Sequence, residues 1–250
     1  MFRPRIIPVL LLQNNGLVKT KRFADPQYIG DPINAVKVFN DLAADELIVL
    51  DIQATKEKRT ISVDVVKSVG EEANMPFAAG GGIRSIPAIR GLLAAGAEKV
   101  VIGSYAAENP SFIRQASKHF GASTIIVCID VKTKLFGTPK VWTARGRTPT
   151  PYEAVSFAKL MEEEGAGEII VQSIDKDGTM AGYDIDLLRR ISLSVHIPVI
   201  ALGGAGTHEH LREAYVDGNA SAVAAGSLFV FHGPERGVLI SYPDKAERRL

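Results

Sequence analysis

Two pairs of short glycine-containing segments carry the clearest chemistry in this sequence. Gly81-Gly82 follows the apolar run PFAAG, and Gly203-Gly204 follows PVIAL. The next apolar run ends in a Gly-Ser pair in both cases, at Gly103-Ser104 and at Gly226-Ser227. Glycine lets an anion approach backbone N–H groups closely, and serine adds a hydroxyl donor. The segments therefore predict two phosphate-binding sites; the alternative is that these glycines only form tight turns.

The elements that would position these segments form a repeating pattern. Eight short apolar runs recur, from RIIPVLLL to AVAAGSLF, and amphipathic stretches lie between them. Continuous hydrophobicity is typical of parallel strands that are buried on both faces. We predict an α/β protein with a single (βα)8 TIM barrel over residues 1–250, in which both pairs of segments lie on the working face, where strands end. A doubly wound sheet is the second possibility, although no first-turn GxGxxG supports it.

The two halves of the chain also resemble each other. Asp51 in LDIQATKEKR corresponds to Asp175 in SIDKDGTMAGYD, about half a chain later, and the glycine and serine segments recur at nearly the same offset. A constant offset indicates a structural repeat. We expect two similar half-barrels, about residues 1–121 and 122–250, with equivalent binding segments at the same end.

Three further places on the predicted working face carry candidate residues. Asp130 ends the strand IVCID, where a carboxylate could transfer a proton or only cap a backbone amide. In SIDKDGT, Gly178 is expected to face a phosphate, while Asp175 and Asp177 shape the loop. The segment GTPKVWTARGRTP predicts a hairpin over this face, on which Arg145 and Arg147 either meet an anion or are simply solvated.

Charged residues begin four of the predicted strands, at the opposite end of the barrel. They are Arg5, Glu46, Lys99 and Glu168. Because a lone buried charge is costly, we expect them to pair, and two cations with two anions can form a closed ring of alternating sign. On the residues alone, such a ring is ordinary rim charge or a plug that stabilises the barrel.

Composition excludes several functions. The 29 Lys and Arg residues nearly balance the 28 Asp and Glu residues, so no general attraction to nucleic acid or to an anionic membrane is expected. The single cysteine, Cys128, suits the cytosol, and no apolar run reaches membrane-spanning length. His208 and His210 lie two positions apart on a predicted helix and face different sides. We expect a cytoplasmic protein with no metal and no cofactor.

Taken together, several segments resemble the HisF family, the cyclase subunits of imidazole glycerol phosphate synthase. They are RIIPVL…GLVK, DELIVLDI, GGGI, AENP, IVCIDVK, GAGEI, SIDKDGT…GYD and GGAG, which cover roughly residues 3 to 230. The resemblance implies a barrel that receives ammonia from a class I, HisH-like glutaminase subunit docked at its bottom. It also implies closure of an imidazole ring at the top, on a substrate with two phosphates.

The resemblance also assigns roles to residues. Asp130 matches one of the two catalytic aspartates of the family, and Lys19 and Asp51 match retained catalytic positions. The four charged residues at the strand starts match the ring through which ammonia enters. The other catalytic aspartate is replaced here by Leu11, which cannot transfer a proton. Ring closure by the family's usual mechanism is therefore not expected.

A narrower resemblance is to the WbuZ-type branch, which is associated with surface-polysaccharide genes. It is carried by IIPVLLL, AAGSLFVFHGP and VLISYP, and by a short tail in place of a final helix. It implies that the barrel delivers ammonia, together with an ATP-dependent sugar amidotransferase, to convert an acetamido group of a sugar to an acetamidino group. The ligand would be a phosphorylated small molecule or a nucleotide sugar. A true cyclase of histidine biosynthesis, and a non-catalytic glutaminase activator and ammonia conduit, are the alternatives.

Overall fold

A closed barrel of eight parallel strands forms the centre of the protein. The computed structural model describes residues 3–133, 137–233, 235–248 and 250. Its strands are β1 (Arg5–Gln13), β2 (Gly16–Lys21), β3 (Ala24–Gly30), β4 (Leu47–Asp51), β5 (Phe77–Gly80), β6 (Lys99–Ile102), β7 (Ile125–Lys132), β8 (Lys140–Thr143), β9 (Thr148–Glu153), β10 (Glu168–Ser173), β11 (Val199–Leu202), β12 (Ala222–Ala225), β13 (Phe231–His232) and β14 (Gly237–Val238). The barrel order is β1-β4-β5-β6-β7-β10-β11-β12, and β12 pairs with β1 to close it. The predicted (βα)8 barrel is confirmed.

Helices follow seven of the barrel strands and cover the outside of the barrel. They are α1 (Pro32–Asp41), α2 (Val63–Glu72), α3 (Ile86–Ala94), α4 (Ser104–Glu108), α5 (Ser111–Phe120), α6 (Ala154–Glu163), α7 (Ile185–Ser192) and α8 (His208–Val216). Side-chain caps fix several helix starts: Asp31 accepts a hydrogen bond from Asn34 N, and Asp184 accepts one from Leu187 N. Such caps satisfy backbone donors that the first turn leaves unpaired.

Alternation along each strand divides the core into two layers. On β1, Ile6, Leu10 and Leu12 belong to the layer between strands and helices. Ile7, Val9 and Leu11 belong to the layer inside the barrel. Successive strand side chains point to opposite faces, so both faces are buried and the strand reads as continuously apolar. By the same alternation, Arg5 and Leu11 also face inward, Arg5 at the start of β1 and Leu11 near its end.

Within the described residues, an antiparallel β1–β2–β3 unit and two separate hairpins are added to the barrel. The chain turns back after β1 through Asn14 and Asn15, whose φ angles are 50° and 61°, and β2 then pairs antiparallel with both β1 and β3. Consecutive left-handed residues are typical of a tight hairpin turn, for which asparagine is well suited. The hairpin β8–β9, predicted from the sequence after β7, is confirmed. The second separate hairpin, β13–β14, follows the last barrel strand.

The C-terminal segment, residues 239–248, runs down the barrel where a final helix would otherwise lie. Within the described residues no α-helix follows β12, as the predicted short tail requires. The hydroxyl of Tyr242 donates to the Ile6 carbonyl at 2.8 Å and accepts from the Asp45 amide at 3.1 Å. Further along, Arg248 donates to backbone carbonyls just beyond α1. The segment is therefore anchored near the amino ends of β1 and β4.

Candidate active site

One cavity opens at the carboxyl ends of the barrel strands and gathers the residues that the sequence assigned to catalysis and phosphate binding. The predicted residues that line it are Lys19, Asp51, Gly81, Gly82, Gly103, Ser104, Asp130, Gly178, Gly203, Gly204, Gly226 and Ser227. We call Gly81-Gly82 with Gly103-Ser104 the first cradle, and Gly203-Gly204 with Gly226-Ser227 the second cradle. Their convergence follows from the barrel, because all parallel strands end at the same face.

The glycines of the two cradles have a structural reason of their own. Gly82 has a φ of 64°, and a Cβ there would overlap the Arg59 carbonyl oxygen. Gly204 has a φ of 121°, and a Cβ there would overlap the Gly182 carbonyl oxygen. Both positions exclude ordinary side chains. Tight packing alone is therefore enough to require these two glycines, and phosphate binding stays a prediction.

Asp130 is a half-buried carboxyl on the inner face of β7, where it lines the cavity. Burial raises its pKa to about 7, and the negative charge of Asp177 adds to the rise, although a hydrogen bond from the Cys128 thiol opposes it. That thiol lies 3.6 Å from Oδ1 of Asp130. A group that titrates near the working pH can both donate and accept a proton. Asp130 is thus suited to general acid–base chemistry.

Lys19 lies on β2, beside the second cradle. Burial lowers its pKa to about 8, while the charge of Asp177 opposes the change. Its ammonium donates to the Val9 carbonyl at 2.6 Å, and a Cβ on Gly226 would lie 2.7 Å from Nζ. Gly226 therefore makes room for the lysine. The hairpin β2–β3, which the sequence did not predict, is what brings this amine into the cavity.

Asp177 does more than the sequence suggested. Its carboxylate accepts hydrogen bonds from Thr20 Oγ1 at 3.2 Å, Gln172 Nε2 at 3.0 Å and Phe23 N at 3.4 Å. These bonds tie the loop after β10 to the hairpin β2–β3, so the predicted loop-shaping role is confirmed. The same carboxylate lines the cavity, and burial raises its pKa. The only sequence signal for this second role was its place just after a barrel strand.

Asp51 is held mainly by its own loop. Its carboxylate accepts from the backbone amides of Gln53 at 2.9 Å and Ala54 at 3.1 Å, and it pairs with Arg59. It also lines the cavity. The structure thus gives Asp51 a clear loop-capping role, and its catalytic role stays a prediction.

Leu11 occupies the inner face of β1 at the mouth of the cavity. It packs with Leu50 and Cys128 against the apolar interior of the barrel. The carboxylates that line the cavity within the described ranges come from other elements, namely Asp51, Asp130 and Asp177. The end of β1 therefore supplies an apolar wall where the family resemblance predicts a second acid.

The four charged residues at the strand starts form the predicted ring of alternating sign at the other end of the barrel. Arg5 pairs with Glu46 and, at 2.6 Å, with Glu168; Lys99 pairs with Glu46 at 3.1 Å and with Glu168 at 2.6 Å. Burial alone would raise the pKa of Glu168, but hydrogen bonds from Arg5 and Lys99 outweigh it and lower the pKa. The pairing removes the cost of isolated buried charges. A gating role for the ring stays a prediction.

Metal binding and membrane insertion are two other functions on which the described residues bear. In residues 3–133, 137–233, 235–248 and 250, no three His, Cys, Asp or Glu side chains lie close enough to hold a metal ion together. Over the same ranges, none of the helices has the length and apolar character needed to cross a bilayer.

Comparison with known proteins assigns the chain to a family. The family described as histidine biosynthesis protein matches residues 5–234. A putative imidazole glycerol phosphate synthase subunit HisF from Leptospira borgpetersenii is 43% identical over 249 residues, which cover 99% of this chain and 98% of that protein. This chain belongs to the HisF family.

Other HisF relatives match over similar lengths. A putative imidazole glycerol phosphate synthase subunit hisF2 from Pseudomonas aeruginosa is 43% identical over 244 residues, or 98% of this chain and 97% of that protein. The imidazole glycerol phosphate synthase subunit HisF of Alkaliphilus metalliredigens is 42% identical over 232 residues, or 93% of this chain and 92% of that protein. The predicted HisF resemblance is confirmed, and the narrower branch stays a prediction.

Proposed function

We propose that this protein is a HisF-like synthase subunit of a glutamine amidotransferase complex. It receives ammonia from a class I, HisH-like glutaminase at the barrel bottom and delivers it for acetamidino formation on a surface-polysaccharide or lipopolysaccharide sugar. The observation that carries the proposal is the combination of Leu11 at the mouth with a complete charged ring at the other end. In this proposal the ring would take in ammonia, and Leu11 stands where the family resemblance places an acid needed to close a ring.

The interior of the barrel suits the passage of a small neutral molecule. Apolar side chains such as Ile7, Ile48 and Ile170 fill the space between the ring and the cavity. Ammonia crosses such a region at much lower cost than ammonium, because burying an unpaired charge is very costly. Ammonium would therefore have to give up one proton, at the ring or in solution, before it enters this interior as ammonia.

In the cavity, the arriving ammonia would meet a bound anionic ligand and two side chains that titrate near neutral pH. The two cradles would hold phosphate groups of a phosphorylated small molecule or a nucleotide sugar, with Gly178 beside them. Asp130, with a pKa of about 7, would accept a proton from nitrogen as it forms a bond to carbon. Lys19, with a pKa of about 8, is a second proton carrier nearby. An ATP-dependent amidotransferase would supply the sugar with its acetamido oxygen activated as a phosphate or adenylate ester. That oxygen would leave with the phosphate or AMP as the new carbon–nitrogen bond forms.

A true cyclase of histidine biosynthesis is the second candidate. Asp177 favours it, since this half-buried carboxylate lines the cavity and interacts electrostatically with both Asp130 and Lys19. In this candidate, Asp177 would substitute for the acid that Leu11 replaces. The printed names of the relatives fit this candidate equally well.

An assay with ammonium and the bisphosphate substrate of the cyclase distinguishes the two candidate functions. We expect no ring closure at ordinary enzymatic rates by the wild-type protein, and detectable closure by Leu11→Asp, because the variant restores a carboxylate on the inner face of β1. Leu11→Asp combined with Asp130→Asn is the control and should be inactive. Ordinary turnover by the wild type would overturn the proposal in favour of the cyclase.

Nitrogen tracing tests the positive part of the proposal. The protein would be purified with its glutaminase and given glutamine labelled at the amide nitrogen, an acetamido nucleotide sugar, ATP and the amidotransferase. Label in the acetamidino group that disappears when this protein is omitted supports delivery. Equal labelling without this protein refutes it. Delivery that persists in Asp130→Asn would favour a conduit without chemistry of its own.

A further inference from the structure

The tip of the hairpin β8–β9 covers the first cradle. The amide of Ala144 donates to Ser104 Oγ at 3.1 Å, and Arg145 lines the cavity. A Cβ on Gly146 would lie 3.0 Å from Cδ1 of Ile174, beyond the end of β10. The tip is thus in contact with the walls of the mouth on two sides.

The backbone of the tip is fixed in an unusual conformation. Ala144, Arg145 and Gly146 have consecutive φ values of 51°, 61° and 69°. The turn is closed by a hydrogen bond from Arg147 N to the Thr143 carbonyl at 3.1 Å. Left-handed conformations are uncommon for residues other than glycine, and they cluster where a site needs a particular geometry. Here the conformation places Arg145, and not Arg147, on the cavity wall.

The cations that line the cavity differ in how they are satisfied. Arg84 pairs with Glu108 at 2.9 Å. Lys19 donates to the Val9 carbonyl at 2.6 Å. Within the described ranges, Arg145 has neither an acidic partner nor a hydrogen bond. A half-buried guanidinium on a cavity wall without a counter-ion is suited to a ligand that brings the negative charge.

We propose that Arg145 supplies the guanidinium of the first cradle and binds a phosphate group of the substrate there. Ser104 Oγ accepts from Ala144 N, so its own proton is available to the same phosphate. Because a guanidinium presents paired donors, it can hold two phosphate oxygens at once. The hairpin is then a specificity element for a substrate with a phosphate at this end. The inference rests on the proposed function, in which the cradles hold phosphate.

Inorganic phosphate and amide NMR test this assignment site by site. In the wild type, phosphate should shift the amide signals of Gly82 and Ser104 in the first cradle and of Gly204 and Ser227 in the second. Arg145→Met should weaken the response of the first cradle about tenfold or more, because it removes charge-assisted hydrogen bonds, and leave the second unchanged. Arg147→Met is the matched control: it is exposed, lies on the same turn and does not line the cavity.

The outcomes distinguish failure of the Arg145 assignment from failure of the proposed function on which it rests. Phosphate shifts at neither cradle of the wild type would overturn phosphate binding itself, and the role of Arg145 with it. Shifts at both cradles that persist in Arg145→Met would overturn only the role of Arg145. Arg145→Lys, which retains charge and loses the paired donors, should recover part of the lost affinity. Full recovery in that variant would show that charge alone accounts for the effect and would overturn paired donation by the guanidinium.

Discussion

Asp130 and Lys19 have opposite charges, and burial moves both pKa values toward neutrality. The pKa of Asp130 rises to about 7 and that of Lys19 falls to about 8. Asp177 interacts electrostatically with both and adds a third buried group. Such clusters of perturbed groups are frequent at functional sites, although ion-pair networks in structural roles also produce them. Asp130 and Lys19 are therefore suited to proton exchange near neutral pH, and Leu11 stands where the family resemblance predicts a further acid.

Asp130→Asn should change the dependence of stability on pH. The pKa of Asp130 rises from 3.8 to about 7 on folding, so between these values the unfolded chain releases a proton that the folded protein keeps. Stability therefore falls as pH rises through this window, and the substitution removes that loss. We expect the variant to gain on the wild type by up to about 4 kcal/mol between pH 4 and pH 8, measured by urea unfolding. A gain that stays constant across this range would show that Asp130 ionises normally.

At the residue scale, the sequence indicated which residues lie at strand ends, and it indicated less well which side chains contact each other. Asp130, Lys19 and the glycines could be assigned to the cavity because each lies near the end of a recognisable strand or matches a family motif. Arg145 could not be separated from Arg147, because the two lie two positions apart on one turn and only the backbone angles decide which faces inward. The second role of Asp177 depended on the hairpin β2–β3, which packs against it.

At the element scale, the eight strands were predictable because both of their faces are buried, and the hairpin β2–β3 was not. The exposed strand β3, ADPQYIG, has few of the β-branched and apolar residues that mark a strand. Its pairing depends on the turn at Arg22 and Phe23, whose φ angles are 52° and 62°, which brings it against β2. The C-terminal segment was similarly recognisable as a departure from a helix, while its anchoring by Tyr242 depended on contacts with distant residues.

Arg248→Met should destabilise the protein by detaching the C-terminal segment. The buried guanidinium of Arg248 donates to the carbonyls of Leu42 at 2.7 Å, Ala43 at 2.9 Å and Pro243 at 2.8 Å. Methionine keeps much of the side-chain length and leaves these acceptors without their donor. We expect a loss of about 2–3 kcal/mol in the free energy of unfolding, seen as a lower urea midpoint with an unchanged slope.

Lys245→Met provides the matched control for this segment. Lys245 is exposed on the same segment, and surface substitutions of this kind usually change stability by no more than about 0.5 kcal/mol. Equal midpoints for the two variants would mean that the contacts of Arg248 do not hold the segment in place.

At the scale of the whole molecule, two polar sites lie at opposite ends of an apolar interior. Inward-facing positions on one strand connect them: Arg5 belongs to the ring, Ile7 and Val9 to the interior, and Leu11 to the mouth. Every second residue of a strand points to the same face, so these four positions all face the barrel interior. Strand periodicity and barrel closure therefore place the ring and the cavity at the two ends of one interior. A sequence therefore predicts the existence of both ends, while the function of the path between them depends on a partner.

Lys99→Ala should separate glutamine hydrolysis from product formation while the barrel stays folded. Lys99 pairs with both Glu46 and Glu168, so its loss leaves Arg5 as the one cation of the ring and weakens its closure. Leaving two buried carboxylates with one cation should also lower stability by a few kcal/mol, which thermal unfolding would measure.

The coupling is measured in the complex with the glutaminase. Labelled nitrogen should appear as free ammonium, and the ratio of labelled product to glutamate formed should fall severalfold. Lys67→Ala, at an exposed residue of α2 that pairs with its helix neighbour Glu71, is the control and should leave that ratio unchanged. If Lys99→Ala keeps the wild-type ratio while the ring is demonstrably broken, the ring stabilises the barrel and does not govern entry of ammonia.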